Sequence, residues 1–293
     1  LPILKIETFE MERMQCLYER EVEFNLSESG VLPLKLSELL DGEDVERFLA
    51  QELWYSASDG SRLLRERIAQ FYPDCKAENI TVTNGGSEAN YVTLWTLLEP
   101  GGRLALMLPN YMQSWGLGRA YAGGVDTFKL ELKQEAGHFR WALDVEGLKR
   151  AVTGKTNVIL ITNPSNPTGA VLNEAEMEAV VDVARKAGAW LVVDEIYRGA
   201  EVEGGTTPTF WGRYEKVIVT SGLSKAFALP GLRIGWVAAP QKLIEELWIR
   251  HDYLTLTPAV LSDNLAAMAM EPQQREAILA RTRQIIRTNL PPV

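Results

Sequence analysis

The chain has 293 residues, enough for about two domains. Thirty lysines and arginines against 39 aspartates and glutamates leave a formal charge of −9 with a pI near 5.0, which argues against a broad nucleic-acid or anionic-membrane surface. Two cysteines, Cys16 and Cys75, and two histidines, His138 and His251, exclude a disulfide framework, a thiolate metal cage and histidine-rich chemistry.

Leu1-Pro2-Ile3-Leu4 runs at once into Lys5 and Glu7, without the pattern of a signal peptide. No apolar run approaches the roughly eighteen residues of a bilayer span, so the expectation is a soluble, cytoplasmic protein. Residues 7–24 mix charged and apolar positions as a helix does, and Asn25 to Leu36, punctuated by serine, Gly30 and Pro33, reads as a connecting arm. A helix is expected at Leu63-Leu64-Arg65. From Asn79 onward, short β-branched runs alternate with helical periods. The strands are Ile80 to Thr83, Leu104 to Leu108, Val158 to Ile161, Trp190 to Val193 and Val217 to Thr220, most too continuously apolar to have a wet face. A helix follows Gly85-Gly86 with Tyr91, Leu94, Trp95 and Leu98 on one face, stopped by Pro100-Gly101-Gly102. Another is capped by Asn173 with Glu176 three residues on, carries Met177, Val180, Val181 and Ala184 as its stripe, and ends at Gly188. After Pro272, the spacing of Ile278, Leu279, Thr282, Ile285, Ile286 and Leu290 predicts a long amphipathic helix that halts at Pro291-Pro292-Val293. The fold class is α/β, a mostly parallel sheet with helices on both faces.

Four stretches carry chemistry. Ser221-Gly222-Leu223-Ser224-Lys225, continuing through Pro230-Gly231-Leu232-Arg233 to Gly235-Trp236, sets one lysine and one arginine in apolar, glycine-rich surroundings. Desolvation and a nearby cation both disfavour a charged ammonium, so a lysine here can serve as amine nucleophile or base, and Arg233 offers a fork for phosphate. On spacing alone, a surface loop with two ordinary cations stands as an equal alternative. Thr83-Asn84-Gly85-Gly86-Ser87-Glu88-Ala89-Asn90 is a strand-to-helix turn in which glycines and a positive helix end make an anion site, although a lone Gly-Gly turn is also common in purely structural roles. It lacks the third glycine of a dinucleotide fingerprint, and Gly154-Lys155-Thr156 fails as a P-loop because Lys149 stands where its first glycine belongs. Asn163-Pro164-Ser165-Asn166-Pro167-Thr168-Gly169 follows a strand and holds an asparagine between prolines, at the end where open α/β sheets place ligands. Asp194-Glu195-Ile196-Tyr197 ends a buried strand with a carboxylate that needs a cationic partner, or else acts as a strand-ending cap; Glu195 reads as structural.

Taken in chain order, the four stretches resemble the class I and II aminotransferases, the fold type I enzymes that use pyridoxal 5′-phosphate (PLP), over a span from about Gly30 to about Pro272. The resemblance implies an arm at 1–45, a large PLP-binding domain at 46–270, and at 271–293 the start of a small domain that reads as cut short. It implies that Lys225 forms the internal aldimine, that Asp194 keeps the ring nitrogen protonated, and that Asn166 and Tyr197 reach the phenolic oxygen. The phosphate falls to the backbone of Gly86, Ser87 and Glu88, to Ser221 and Ser224, and to Arg233. Tyr111 stacks on the ring. Tyr55 reaches the phosphate of a neighbouring subunit, which implies a homodimer. Gly30 and Asn166 contact substrate, and Trp54 and Tyr111 would tolerate a large side chain.

Two departures stand out. Gly222 occupies the position three before the lysine where the family usually has serine or threonine, and no candidate appears for the arginine that clamps the substrate carboxylate. Arg281, Arg283 and Arg287 read as the solvated face of the last helix, whose apolar stripe is left partly uncovered. The implied function is transfer of an amino group between an L-amino acid and a 2-oxo acid. A PLP lyase or cyclase acting on an amino acid is the alternative, and a noncatalytic PLP sensor is third because residues 1–50 are too short and acidic for a DNA-binding module. A serine hydrolase has no support from His138, in a Gly137-His138-Phe139 turn, or from His251, after Arg250 on a helix; both read as surface or interface residues without a role.

Overall fold

A computed structural model of the chain describes residues 6–135, 137–203 and 205–290. The strands are β1 (Ile80–Thr83), β2 (Arg103–Leu108), β3 (Val125–Glu135), β4 (His138–Leu143), β5 (Thr156–Thr162), β6 (Trp190–Asp194), β7 (Val217–Gly222) and β8 (Gly235–Ala238). The helices are α1 (Glu10–Tyr18), α2 (Leu36–Leu39), α3 (Gly42–Leu49), α4 (Arg62–Ala69), α5 (Gly86–Leu97), α6 (Gln113–Tyr121), α7 (Val145–Ala151), α8 (Glu174–Ala187), α9 (Gln241–His251), α10 (Val260–Ala269) and α11 (Pro272–Asn289). Among the described residues, no helix is long and apolar enough to cross a membrane.

The chain divides into two compact units, Leu1–Ser29 with Leu94–Val193, and Gly30–Thr93 with Asp194–Val293. In the first, the strand order is β6-β5-β2-β3-β4; β2 pairs in parallel with both β5 and β3, and β4 returns antiparallel to β3. Leu104, Leu106, Ile159 and Leu191 are fully buried, each contributing roughly 2 kcal/mol. This is why the apolar runs identify the central strands so well: chains buried on both faces have no polar alternation to offer. Helix α8 has the expected reciprocal cap between Asn173 and Glu176, buries Met177, Val180, Val181 and Ala184, and ends on Gly188 at φ 66°. In the second unit the order is β1-β8-β7, both pairings antiparallel, and every residue of these three strands is buried. The α/β class is borne out, with β4 and β8 running against their neighbours.

The ends of the chain depart from expectation. Only Glu10–Tyr18 of the helix expected over 7–24 forms, and it buries no residue, so no apolar stripe propagates it. Helix α11 buries Ile278, Leu279 and Thr282, while Ile285 and Ile286 are half-buried and Leu290 lies past its last turn, exposed. Arg281 and Arg283 are half-buried rather than part of a solvated face, while Arg287 is exposed as expected. Arg281 Nη1 donates to Leu32 O at 2.9 Å, Arg283 Nε to Gly199 O at 2.8 Å and Arg287 Nε to Val202 O at 2.7 Å, so they tie the helix to three backbone carbonyls of the same unit. The segments Leu1-Pro2-Ile3-Leu4-Lys5 and Pro291-Pro292-Val293 lie outside the described residues.

Candidate active site

Most of the residues singled out above gather in the second unit. Strand β1 ends in the Asn84-Gly85 turn, where Gly85 at φ 91° takes a left-handed conformation that a side chain would strain. Helix α5 starts at Gly86, so Gly86, Ser87 and Glu88 occupy a first turn whose N–H groups point out of the helix end. This turn lies directly against the paired ends of β7 and β8. A Cβ on Gly235 would come within 2.3 Å of the Gly85 carbonyl carbon, and one on Gly222 within 2.9 Å of Ile234 O and 3.4 Å of Gly86 N. Gly222 and Gly235 are register partners, so the serine or threonine that the family usually carries at position 222 has no room here.

From β7 the chain passes through Ser221, whose Oγ donates to Glu195 O at 3.3 Å, into the loop bearing Ser224 and the half-buried Lys225. Backbone bonds set this loop: Leu223 N–H to Ile234 O, Ala226 N–H to Ile196 O, Ala228 N–H to Lys225 O and Leu229 N–H to Leu223 O. Ala226, Phe227 and Ala228 are buried beneath it, and Ala228 sits at φ 52°, outside the ordinary range of an alanine. After the turn at Pro230–Leu232, Arg233 also takes a left-handed conformation, φ 51° and ψ 43°. Its Nη1 donates to Pro230 O at 3.1 Å and approaches Ser224 Oγ at 3.4 Å, and its guanidinium occupies the space a Gly85 side chain would need. Arginine, lysine and helix end therefore share one region of one unit.

Asp194, the last residue of β6, accepts from Asn90 Nδ2 on α5 at 2.9 Å and from Ile196 N–H at 3.0 Å. Thr220 Oγ1 in turn donates to Asn90 Oδ1 at 2.6 Å. Asn90, one turn beyond Gly86 on the same helix, is a member of the candidate site that motif reading left without a role. Burial pushes the Asp194 carboxyl up, against the lowering by its two hydrogen bonds, and among the described residues no cation pairs with it. Tyr197 follows in the next turn, half-buried, its carbonyl accepting from Ala200 N–H.

Glu195 is anchored differently. It is buried, with Oε1 accepting from Thr209 Oγ1 and Phe210 N–H, each at 2.8 Å, and Arg198 lies 3.8 Å from Oε2. Burial pushes its carboxyl up to about 7, against the lowering by Arg198 and those hydrogen bonds. A carboxyl raised on folding contributes its full stabilisation below its unfolded value of 4.5 and loses it as pH climbs through about 7. Between pH 5 and 8 the protein should lose on the order of 3 kcal/mol relative to Glu195→Gln, measured by urea unfolding of both. Parallel pH profiles for the two would show that Glu195 does not titrate in this window.

The remaining residues stand apart. Tyr111 and Asn166 belong to the first unit, in loops that follow the parallel neighbours β2 and β5 and so leave the same edge of that sheet. Asn110 Oδ1 joins the loops, accepting from Tyr111 N–H at 2.8 Å and Thr162 Oγ1 at 2.7 Å, and Tyr111 packs edge-on against Phe9 at 5.1 Å while its hydroxyl donates to Glu12. Gly30 is half-buried at the start of the second unit, and Tyr55, between α3 and α4, is 74 % exposed. His138 is exposed and His251 lies on a helix, as expected, but each departs in one respect. His138 opens strand β4 rather than lying in a turn, and His251, the last residue of α9, is 1 % exposed rather than at the surface.

The sequence model of class I and II aminotransferases matches residues 50–290. An aspartate aminotransferase of Musicola paradisiaca is 32% identical over 202 residues, 66% of this chain and 49% of that protein. A solved PLP-dependent aminotransferase of Streptococcus suis has a TM-score of 0.89 at 31% identity, covering 98% of this chain and 76% of the other. The solved PLP-dependent cyclase OrfR has a TM-score of 0.82 at 26% identity, covering 98% and 74%. The chain spans about half the length of the curated relatives it matches.

Proposed function

The chain belongs to the class I and II aminotransferase family, and from that premise we propose that it binds PLP and transfers an amino group between an L-amino acid and a 2-oxo acid. The observation that carries this reading is Asp194, a buried carboxylate with no cation paired to it among the described residues, in the same unit as a glycine-walled anion site, an arginine and a lysine. One small molecule carrying a phosphate, an aldehyde and a protonated ring nitrogen answers all four features. The residues therefore fit the cofactor.

Bound PLP supplies a cationic ring that makes the Cα–H bond of an attached amino acid acidic. The first-turn amides of Gly86, Ser87 and Glu88, the hydroxyls of Ser221 and Ser224, and Arg233 hold the phosphate. Asp194, steadied by Asn90, holds the proton on the ring nitrogen and so keeps the positive charge where it is needed. Tyr197 donates to the ring's phenolic oxygen. Lys225 Nζ would hold the cofactor through its aldehyde and would carry the proton that leaves Cα. Titrating L-amino acids into the PLP-loaded protein without a keto acid tests this: a visible band should form, and one donor should bleach it with release of its 2-oxo acid. No band would overturn the cofactor reading. The likeness to a cyclase supports a second reading, lyase or cyclase chemistry at Cβ or Cγ, which elimination or ring-closed products with a persistent band would favour.

The same family membership supports a homodimer. Leu49, Leu53, Trp54 and Tyr55 are 79, 77, 77 and 74 % exposed within one short stretch, apolar area of a kind that marks an interface. Sedimentation velocity should give about twice the 32.7 kDa of the chain; a monomer that binds PLP and turns over fully would remove the dimer from the proposal.

A further inference from the structure

His251 lies where the catalytic reading assigns nothing. Its Nε2 is 3.2 Å from Thr255 Oγ1 and 3.6 Å from Glu88 Oε2. Thr255 Oγ1 donates to Glu88 Oε1 at 2.8 Å and accepts from Asn84 Nδ2 at 2.7 Å, while Glu88 Oε2 accepts from the Asn84 N–H. A hydroxyl has one proton, and Thr255 commits it to Glu88, so toward His251 it is an acceptor. The imidazole is therefore protonated on Nε2, and its buried Nδ1 has no partner among the described residues. Burial alone would raise the Glu88 carboxyl, but the adjacent His251 ring and the hydrogen bonds from the Asn84 N–H and Thr255 bring it below the usual range, so it is ionised.

Asn84 and Glu88 bracket Gly85, Gly86 and Ser87. An ionised carboxylate in the first turn of α5 is a poor neighbour for a phosphate dianion, since like charges repel and the two compete for the same helix end. Resting on the reading of this turn as a phosphate site, we infer that His251 is a positioning residue for it: with Thr255, it holds the Glu88 carboxylate in a fixed hydrogen-bonded place so that the turn keeps its shape and accepts a phosphate. The group recognised is the phosphate of the cofactor and not its ring, which gives the inference a signature that general loosening of the fold lacks.

The experiment measures dissociation constants of PLP and of pyridoxal, which has the ring and aldehyde but no phosphate, for the full chain and three variants. His251→Leu should weaken PLP about tenfold, the upper end of the effect of losing one hydrogen bond, and leave pyridoxal within about twofold. His251→Gln, which keeps an N–H near the Nε2 position, should restore most of the PLP affinity. Thr255→Val, at an exposed position that places little demand on folding, should repeat the selective loss if His251→Leu does not fold. Equal weakening of both ligands, or no change in either, would overturn the inference while leaving the cofactor assignment intact. A wild-type chain that binds neither ligand would overturn the cofactor assignment and the inference together.

Discussion

Alanine at position 225 is expected to leave a folded protein that no longer holds PLP covalently and whose turnover falls by at least about a thousandfold. The fold should survive because the loop is set by backbone bonds from Leu223, Ala226, Ala228 and Leu229 and by the burial of Ala226, Phe227 and Ala228, none of which uses the lysine side chain. Its unfolding midpoint should therefore stay within about 1 kcal/mol of wild type. Chemistry should suffer on two counts, since on the proposed reading one amine both bonds the cofactor and moves the Cα proton. Borohydride reduction followed by peptide mass mapping gives the decisive comparison: wild type should retain the cofactor mass on the peptide containing Lys225, and Lys225→Ala should retain none. Cofactor trapped on another lysine of the variant would show that the wrong amine has been assigned.

The second large effect is expected at Asp194, and it has opposite signs for stability and for activity. Burial raises the Asp194 carboxyl, so its stabilisation is present below its unfolded value and lost as pH rises through the folded one. At neutral pH, in the cofactor-free protein, a buried carboxylate without a cation is a liability. Asp194→Asn keeps an oxygen for Asn90 or Ile196 and removes that liability, so the cofactor-free variant should be no less stable than wild type at pH 8. With PLP, the proton on the ring nitrogen loses its partner, and turnover should fall by about a hundredfold to a thousandfold. Thermal unfolding of the cofactor-free proteins and steady-state rates of the loaded ones read the two effects separately. A variant as active as wild type would exclude Asp194 from the ring-nitrogen role.

What was legible in the sequence follows from what is local. The runs at 80–83, 104–108 and 217–220 could be read as strands because burial on both faces demands continuous apolar residues, and α8 because its cap and stripe are written within fifteen residues. The hairpin β3–β4 was missed because only Phe128, Leu130, Ala142 and Leu143 along it are buried, and the charged positions between them read as a polar segment. Strand β8 was hidden inside a stretch already read for its chemistry. At the site, glycine, lysine, arginine and aspartate could be picked out from motif order, since each chemistry needs its residue type. Asn90 could not be assigned, because its role depends on Asp194, 104 positions away. Nor could the burial of His251, which depends on Glu88, or the reason for glycine at 222, which depends on the register of β7 with β8.

The packing of Gly85 and Gly86 on Gly222 and Gly235 has a further consequence. Backbone lies on backbone there, with no side chain between them able to change rotamer, so the turn takes its rigidity from the strands beneath it. An anion arriving at the start of α5 meets amides that are already oriented, and the conformational entropy that ordering them would otherwise cost has been lost during folding rather than at binding.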